Sequence, residues 1–425
     1  MTAPLRRSPN GIPGTGSGMS QNGARSPMAA GRPGGETLPM AVTAGSRGPA
    51  AETFQPPPTE HRPPHRRILV VVYGHLSDSM AATPALRSLR AALPDSRIEV
   101  LALRCARPVV GRSPHVDAVV EWDDFHRKGE SLARVEKAAV IATLGARLRR
   151  RGYDATLLLH NGTGAMRKLT RAIGSPVQAG ISFGGDGFSH PVSPAAEAES
   201  AREANARVLA AFGVEEDGGP VELVTLPEER AAARRLVGSG DGPLVGIHAG
   251  ADWSCQQWLP ERFAEVASTL QREAGARIVL TGSGSETGLQ EEIARGMARP
   301  PIRIAGRTSF GELVEVIRGL DLLVCVSSAA SSIADATGTP SIVLLGPEDG
   351  RFTGMAPTEH RRVLQPGGLR LAGSWCELGR WGVLSGCDSP VCRGVGGLAE
   401  LDPATVSAAA LEMLGSDSLS SARAC

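Results

Sequence analysis

The sequence predicts an α/β protein of two doubly wound parallel sheets that face each other across a cleft. Three observations lead there. From Arg67 onward, short apolar runs alternate with segments of helical spacing, the pattern of a parallel sheet covered on both faces. The alternation runs through once, stops at Gly238-Ser239-Gly240-Asp241-Gly242-Pro243, and then starts afresh. Each array also opens alike, with an apolar, β-branched run that ends in a short loop ahead of a helix.

The first array begins with Ile68 to Tyr73, a strand buried on both faces. The polar loop behind it carries one acid, Asp78. Thr83-Pro84 then starts a helix over 83–93, in which Leu86, Leu89 and Leu93 recur at helical spacing. Asp78 is therefore expected at the carboxyl end of a parallel strand, where open α/β sheets bind ligands, although an acid there also serves as an ordinary N-cap. Strands follow at 98–102, 118–121, 155–159 and 177–181, and helices at 131–150 and 196–212. Gly152-Tyr153-Asp154 and Gly174-Ser175-Pro176 supply turns. The second array reads strand 244–248, helix 260–273, strand 277–281, helix 286–297, strand 302–304, helix 309–318, strand 322–326, a short helix and strand 341–345. A last helix near 403–414, with Val406, Leu411 and Leu414, is expected to pack across the join. The division is then a tail at 1–65, a first domain at 66–238, a second at 243–370 and a closing segment at 371–415.

Composition narrows the function. The 425 residues carry a net charge of +1, which gives no basis for a nucleic-acid partner or for more than peripheral membrane contact. No apolar run approaches a membrane span, and Arg6-Arg7 is followed by no apolar segment, so neither secretion nor twin-arginine export is expected. The Gly, Pro and Ser of residues 1–65 cannot bury enough surface to order the segment. Seven scattered cysteines fit a reducing cytoplasm; Cys376, Cys387 and Cys392 lack the spacing of a zinc site and read as structural thiols. Lys128, Lys137 and Lys168 are the only lysines, the codon bias of a GC-rich genome. Any phosphate bound by the second array must therefore be held by arginine, hydroxyls, backbone N–H groups or helix ends.

Three blocks of the second array could carry chemistry. Strand 244–248 ends at His248, and a loop containing Gly250 and Ser254 leads to Gln256-Gln257-Trp258-Leu259-Pro260; such small-residue loops let a phosphate approach the backbone. His248 alone reads equally as a satisfied histidine at a strand end, and Trp253 and Trp258 as packing anchors. Thr281-Gly282-Ser283-Gly284-Ser285-Glu286 lacks the dinucleotide fingerprint spacing, which argues against a dehydrogenase. Glu286 could accept hydrogen bonds from a ribose, or simply favour a helix start. Finally, strand 322–326 runs into Ser327, Ser328, Ser331 and Ser332 at a helix start. Capping needs one hydroxyl, and four suit a diphosphate.

In this order the blocks resemble glycosyltransferase family 9, the ADP-heptose:lipopolysaccharide heptosyltransferases of the GT-B fold. The resemblance covers roughly residues 67 to 415 and is carried by Asp78 ahead of Thr83-Pro84-Ala85-Leu86-Arg87, by His248-Ala249-Gly250-Ala251 with Trp258-Leu259-Pro260-Glu261-Arg262-Phe263, by Ala305-Gly306-Arg307-Thr308-Ser309, and by Gly338-Thr339-Pro340 through Gly346-Pro347. It implies an inverting, metal-independent transfer of a heptose-like sugar from a nucleotide diphosphate, with no cofactor and with ADP as the expected nucleotide. The first domain would hold the acceptor and the second the donor. Asp78 would be the general base. His248, Ser254, Gln256, Glu286, Thr308, Ser327, Ser328, Ala329 and Ser332 would line the donor site.

The chain departs from the family pattern where the donor diphosphate is expected. Gln256 stands in place of a lysine, Ser327-Ser328-Ala329 in place of Asp-Thr-Gly, and Ser332 in place of a histidine. Arg307, Arg351 or Arg262 could replace the lost cation, and losing the aspartate's charge offsets part of that loss. These departures also leave room for a shell that binds nucleotide sugars without turnover. In a GC-rich actinobacterium lipopolysaccharide core is absent, so the expected acceptor is a hydroxyl or amine of a secondary metabolite or an envelope glycan.

Overall fold

The structure is a computed structural model and describes residues 66–122, 134–160, 164–195, 199–251, 256–346, 348–366 and 398–415. The tail at 1–65, Trp253, Ser254, Cys376, Cys387 and Cys392 lie outside the described residues.

The first sheet contains β1 (Arg67–Val72), β2 (Arg97–Ala102), β3 (Ala118–Glu121), β4 (Ala155–Leu159), β5 (Val177–Ile181) and β6 (His190–Val192). All are parallel, in the order β3-β2-β1-β4-β5-β6. Its helices are α1 (Leu76–Ala81), α2 (Thr83–Ala92), α3 (Arg107–Val110), α4 (Arg134–Arg149), α5 (Gly164–Ile173) and α6 (Ala201–Phe212). The apolar run of β1 is continuous because both its faces are covered. Ile68, Val70 and Val72 enter a layer with Leu86 and Leu89 of α2 and Val208, Leu209 and Phe212 of α6. Leu69 and Val71 enter the opposite layer, with Leu144 and Leu148 of α4 and Met166, Leu169 and Ile173 of α5.

The second half repeats the plan with α7 (Pro227–Val237), β7 (Leu244–His248), α8 (Pro260–Glu273), β8 (Arg277–Leu280), α9 (Thr287–Gly296), β9 (Ile302–Arg303), α10 (Phe310–Arg318), β10 (Leu322–Val326), α11 (Ala329–Thr337), β11 (Ser341–Leu344), α12 (Gly350–Thr353), β12 (Arg361–Leu364) and α13 (Pro403–Gly415). The sheet is again parallel, in the order β12-β11-β10-β7-β8-β9. Helix α13 lays Val406, Ala409 and Ala410 in the apolar layer of β7, β10 and α8, on the second sheet. Helix α7 packs in the layer of α10 and α11 through Ala233, so residues 227–237 ride with the second sheet although they precede Gly238.

Both sheets belong to one compact unit. The apolar layer under β10 and α11 takes in Leu76 and Met80 of α1 and Val109 from the first half. Helix α1 therefore touches α11, and the two carboxyl edges meet at that contact.

Candidate active site

In both sheets the strand order reverses beside the first strand, between β1 and β4 and again between β7 and β10. Open α/β sheets bind ligands outside the carboxyl ends of their strands at such a switch point. The candidate residues collect at these two places.

At the first switch point Asp78 departs from expectation, since it lies in a helix and not in a loop. It is the third residue of α1, and its Oδ2 accepts the His75 N–H at 2.7 Å, so the carboxylate closes the helix's own amino end. Gly74, at φ +142°, lies directly beneath, and a Cβ there would strike the Asp78 carboxylate. The other oxygen, Oδ1, faces His160 Nε2 at 3.5 Å. His160 was not singled out from sequence. It follows the last residue of β4 in a left-handed conformation, φ +58°, the only non-glycine residue with positive φ among the described residues. Asn205 of α6 holds it there: its Oδ1 accepts the His160 N–H at 2.6 Å and its amide donates to the Ala81 carbonyl at 3.1 Å. One buried side chain thus fixes both the histidine and the end of the helix that carries Asp78. His160 Nδ1 is buried with no partner among the described residues.

At the second switch point, His248 at the end of β7 shares a hydrogen bond of 3.0 Å between its Nδ1 and Thr281 Oγ1. Burial holds its imidazole below the usual histidine range, against the pull of the nearby Glu286 carboxylate. Glu286 lies over Gly250 so closely that a Cβ on that glycine would overlap its carboxylate, and Oε2 accepts the Ser283 N–H at 2.5 Å. His248, Gly250 and Glu286 therefore stand together on one edge.

The serines divide their work. Ser331, fully buried, accepts the Ser328 N–H at 3.2 Å and donates to the Ser328 carbonyl at 2.6 Å, so it shapes the first turn of α11. Ser328 is the N-cap residue, yet its Oγ is buried without a partner among the described residues. Ser327 donates to the carboxyl of Glu348, and Gln256 Nε2 donates to Glu348 Oε1 at 3.0 Å. Ala329 and Ser332 lie half-buried on the same turn, and Thr308 is half-buried just before Ser309, the N-cap of α10.

The three arginines that could replace the lost cation all have partners within the chain. Arg262 donates to the Leu401 carbonyl at 2.7 Å beside the indole N–H of Trp258, where it anchors the segment leading to α13. Trp258 is a packing anchor, edge-on to Phe263. Arg351 is paired with its neighbour Asp349 at 3.0 Å, and its side chain is 62 % exposed. Arg307 bonds the Arg303 carbonyl at 3.1 Å and lines a pocket with Thr287, Gln290 and Glu291. In each case the guanidinium bonds a carbonyl or a carboxylate of the chain. Sequence reasoning also passed over Glu348, although it follows the β11 strand much as Asp78 follows β1. Among the described residues there is no group of three or more His, Cys, Asp or Glu that could hold a metal ion.

Comparison with known proteins identifies the family. Residues 141–365 match the model of glycosyltransferase family 9 (heptosyltransferase). The chain belongs to glycosyltransferase family 9. Curated relatives of this glycosyltransferase include lipopolysaccharide heptosyltransferase 3 of Escherichia coli, 28% identical over 290 residues, which are 65% of this chain and 82% of the relative. Lipooligosaccharide heptosyltransferase 2 of Haemophilus influenzae is 24% identical over 312 residues, 67% and 85% of the two chains. Among solved structures, a family 9 glycosyltransferase from Veillonella parvula superposes with a TM-score of 0.67 at 22% identity, covering 83% of this chain and 98% of that one. The ADP-heptose heptosyltransferase II of E. coli gives 0.60 at 20%, covering 82% and 98%. These neighbours share the GT-B fold.

Proposed function

We propose that this protein transfers a heptose-like sugar, with inversion, from a nucleotide diphosphate to a hydroxyl or amine acceptor, with ADP as the nucleotide. The curated relatives are heptosyltransferases, which supports the donor class. The observation that supports the reading is the contact between α1, which carries Asp78, and α11, which opens on the serines. Asp78 Oδ1 takes the proton of the acceptor as its oxygen or nitrogen attacks the anomeric carbon. The bond from that carbon to the diphosphate oxygen breaks on the opposite face, and the nucleoside diphosphate leaves with the electron pair. Backbone N–H groups at the start of α11 stabilise the leaving charge. His248 and Glu286 hold the nucleotide side, with Glu286 accepting from ribose hydroxyls. No step calls for a metal, so turnover should persist in excess EDTA.

The acceptor is a secondary metabolite or an envelope glycan, and the reaction belongs in the cytoplasm. Among the described residues no helix is long and apolar enough to cross a membrane.

Measuring transfer from ADP-heptose by wild type and Asp78→Asn tests the mechanism. Losing a positioned general base should lower kcat by about 100-fold or more, with KM for the donor little changed. Undiminished transfer would remove Asp78 from the role. Thermal shifts with ADP-, GDP-, UDP- and dTDP-sugars test the donor, and binding without turnover would favour a shell that has lost catalysis.

A further inference from the structure

Two buried polar atoms on the carboxyl edge of the second sheet have no partner among the described residues, Glu348 Oε2 and Ser328 Oγ. The backbone of Ser328 is bonded to Ser331, and the Glu348 side chain is held in place. The Glu348 loop is tied from β12 by Gln365, whose amide donates to the carbonyls of Gly346 at 2.6 Å and Glu348 at 3.0 Å. Its carboxyl is held by Gln256 at 3.0 Å and by Ser327, the residue next to Ser328. Among the described residues no Lys or Arg faces it. Burial pushes the Glu348 carboxyl up from the usual carboxylate range, and the hydrogen bonds from its own backbone N–H, Gln256 and Ser327 only partly reverse this. A carboxyl so placed stabilises no phosphate, because its charged form repels one. It does accept a hydrogen bond. Ser328, next in sequence to the Ser327 that bonds this carboxyl, carries a hydroxyl that can donate one.

A ligand that meets both groups must offer a donor and an acceptor close together without negative charge, which is the chemistry of sugar hydroxyls and not of a diphosphate. We propose that Glu348 and Ser328 read the hydroxyl groups of the transferred sugar, and that this pair sets which sugar the enzyme accepts. The assignment rests on the reading of this edge as the donor site. It divides that site: the nucleotide lies toward His248 and Glu286, the sugar toward Glu348. Leaving a buried acceptor without its donor is costly, so a sugar lacking the matching hydroxyl is rejected strongly.

Calorimetry on the full chain separates sugar from nucleotide. The probes are ADP-heptose against ADP, GDP-mannose against GDP, UDP-glucose against UDP and dTDP-glucose against dTDP, for wild type, Glu348→Gln, Glu348→Ala and Ser328→Ala. For whichever nucleotide sugar binds wild type, Glu348→Ala should weaken the sugar conjugate about tenfold or more while the free nucleotide stays within about twofold. Ser328→Ala should act in the same direction, less strongly. Glu348→Gln keeps the side-chain shape and gives the answer should the alanine variant unfold, and it too should weaken only the conjugate. Equal effects on conjugate and nucleotide, or none on either, would overturn the assignment while leaving the donor site standing. A wild type that binds none of the four conjugates would overturn both.

Discussion

His160 shows how much of this site rests on single residues. A non-glycine residue in the left-handed region is strained by about 1–3 kcal/mol and persists only where its surroundings over-determine it. Here Asn205 supplies the constraint, through the hydrogen bond to the His160 amide and the second one to the end of α1. The result is an imidazole 3.5 Å from Asp78, with both side chains about one-fifth exposed. That spacing fits a positioning role, in which His160 holds the carboxylate toward the acceptor. Glycine adopts the same backbone at no steric cost. His160→Gly should therefore unfold within about 1 kcal/mol of wild type, while kcat falls roughly tenfold for want of orientation and KM for the donor stays put. Urea denaturation and steady-state kinetics on one preparation check this. A parallel loss of stability and activity would reduce His160 to a structural part.

At the scale of elements, the strands were legible because burial on both faces leaves an uninterrupted apolar run, as in β1 and β10. Elements without that signature were missed. Helix α5 does have helical spacing in Met166, Leu169, Thr170 and Ile173, but it lies close behind turn-forming residues. β12 opens with two arginines, and β6 carries Pro191 on the sheet edge, so neither alternates clearly. The α1 segment reads as a loop in sequence because its start depends on Asp78 capping His75 three residues back, a local bond that no periodicity reports. The site divided similarly. Residues at the ends of buried strands, Asp78 and His248, could be found by position, whereas the partners that orient them, Asn205 and Thr281, come from elsewhere in the chain.

The amino ends of β1, β2 and β4 are joined by a network that sequence did not suggest. Glu99, buried on β2, accepts from Arg67 at 2.8 Å, Arg97 at 2.8 Å, Arg151 at 3.0 Å and Tyr153 at 2.7 Å. Burial alone would raise its carboxyl, but the hydrogen bonds from Arg97, Tyr153 and Arg67 outweigh it and hold the group at about 2. The unfolded carboxyl titrates near its ordinary value of about 4.3. The network's contribution is thus complete above that value and is lost as pH falls toward 2. Linkage puts it at about 3 kcal/mol as an upper figure, since the three arginines are 36 to 54 % exposed and screened by solvent. Glu99→Gln should be less stable at pH 7 and show a shallower loss of stability between pH 5 and pH 2. Denaturant titrations across that range check it, and parallel curves for mutant and wild type would count against the network.

For the whole molecule, the question is what keeps the two halves in register. The connection is bonded to each side in turn. Asp217 pairs with Arg87 of α2 at 2.6 Å and Glu222 with His115 at 2.9 Å, both in the first half, and then Thr225 donates to Glu315 of α10 at 2.5 Å in the second. Beyond this connection, Arg112 reaches across to Glu229 of α7 at 2.7 Å. Glu229 is nearly buried, caps α7 through the Leu226 N–H at 2.9 Å, and takes a long bond from Ser309 at 3.4 Å. Burial raises the Glu229 carboxyl, but the bonds from Arg112 and Leu226 outweigh it and the group lies below its ordinary range. The apolar packing of Leu76, Met80 and Val109 against the α11 layer favours the same arrangement. Removing Arg112 leaves a buried carboxylate without its cation, so Arg112→Ala should cost about 1–3 kcal/mol. Glu229→Ala should cost more, because it also takes away a helix cap worth about 1 kcal/mol. In a double-mutant cycle by urea denaturation the pair should couple by at least about 1 kcal/mol, since one partner is buried and the other one-third exposed. A coupling near zero would make Arg112–Glu229 an ordinary surface pair and leave the register of Asp78 against α11 to apolar packing alone.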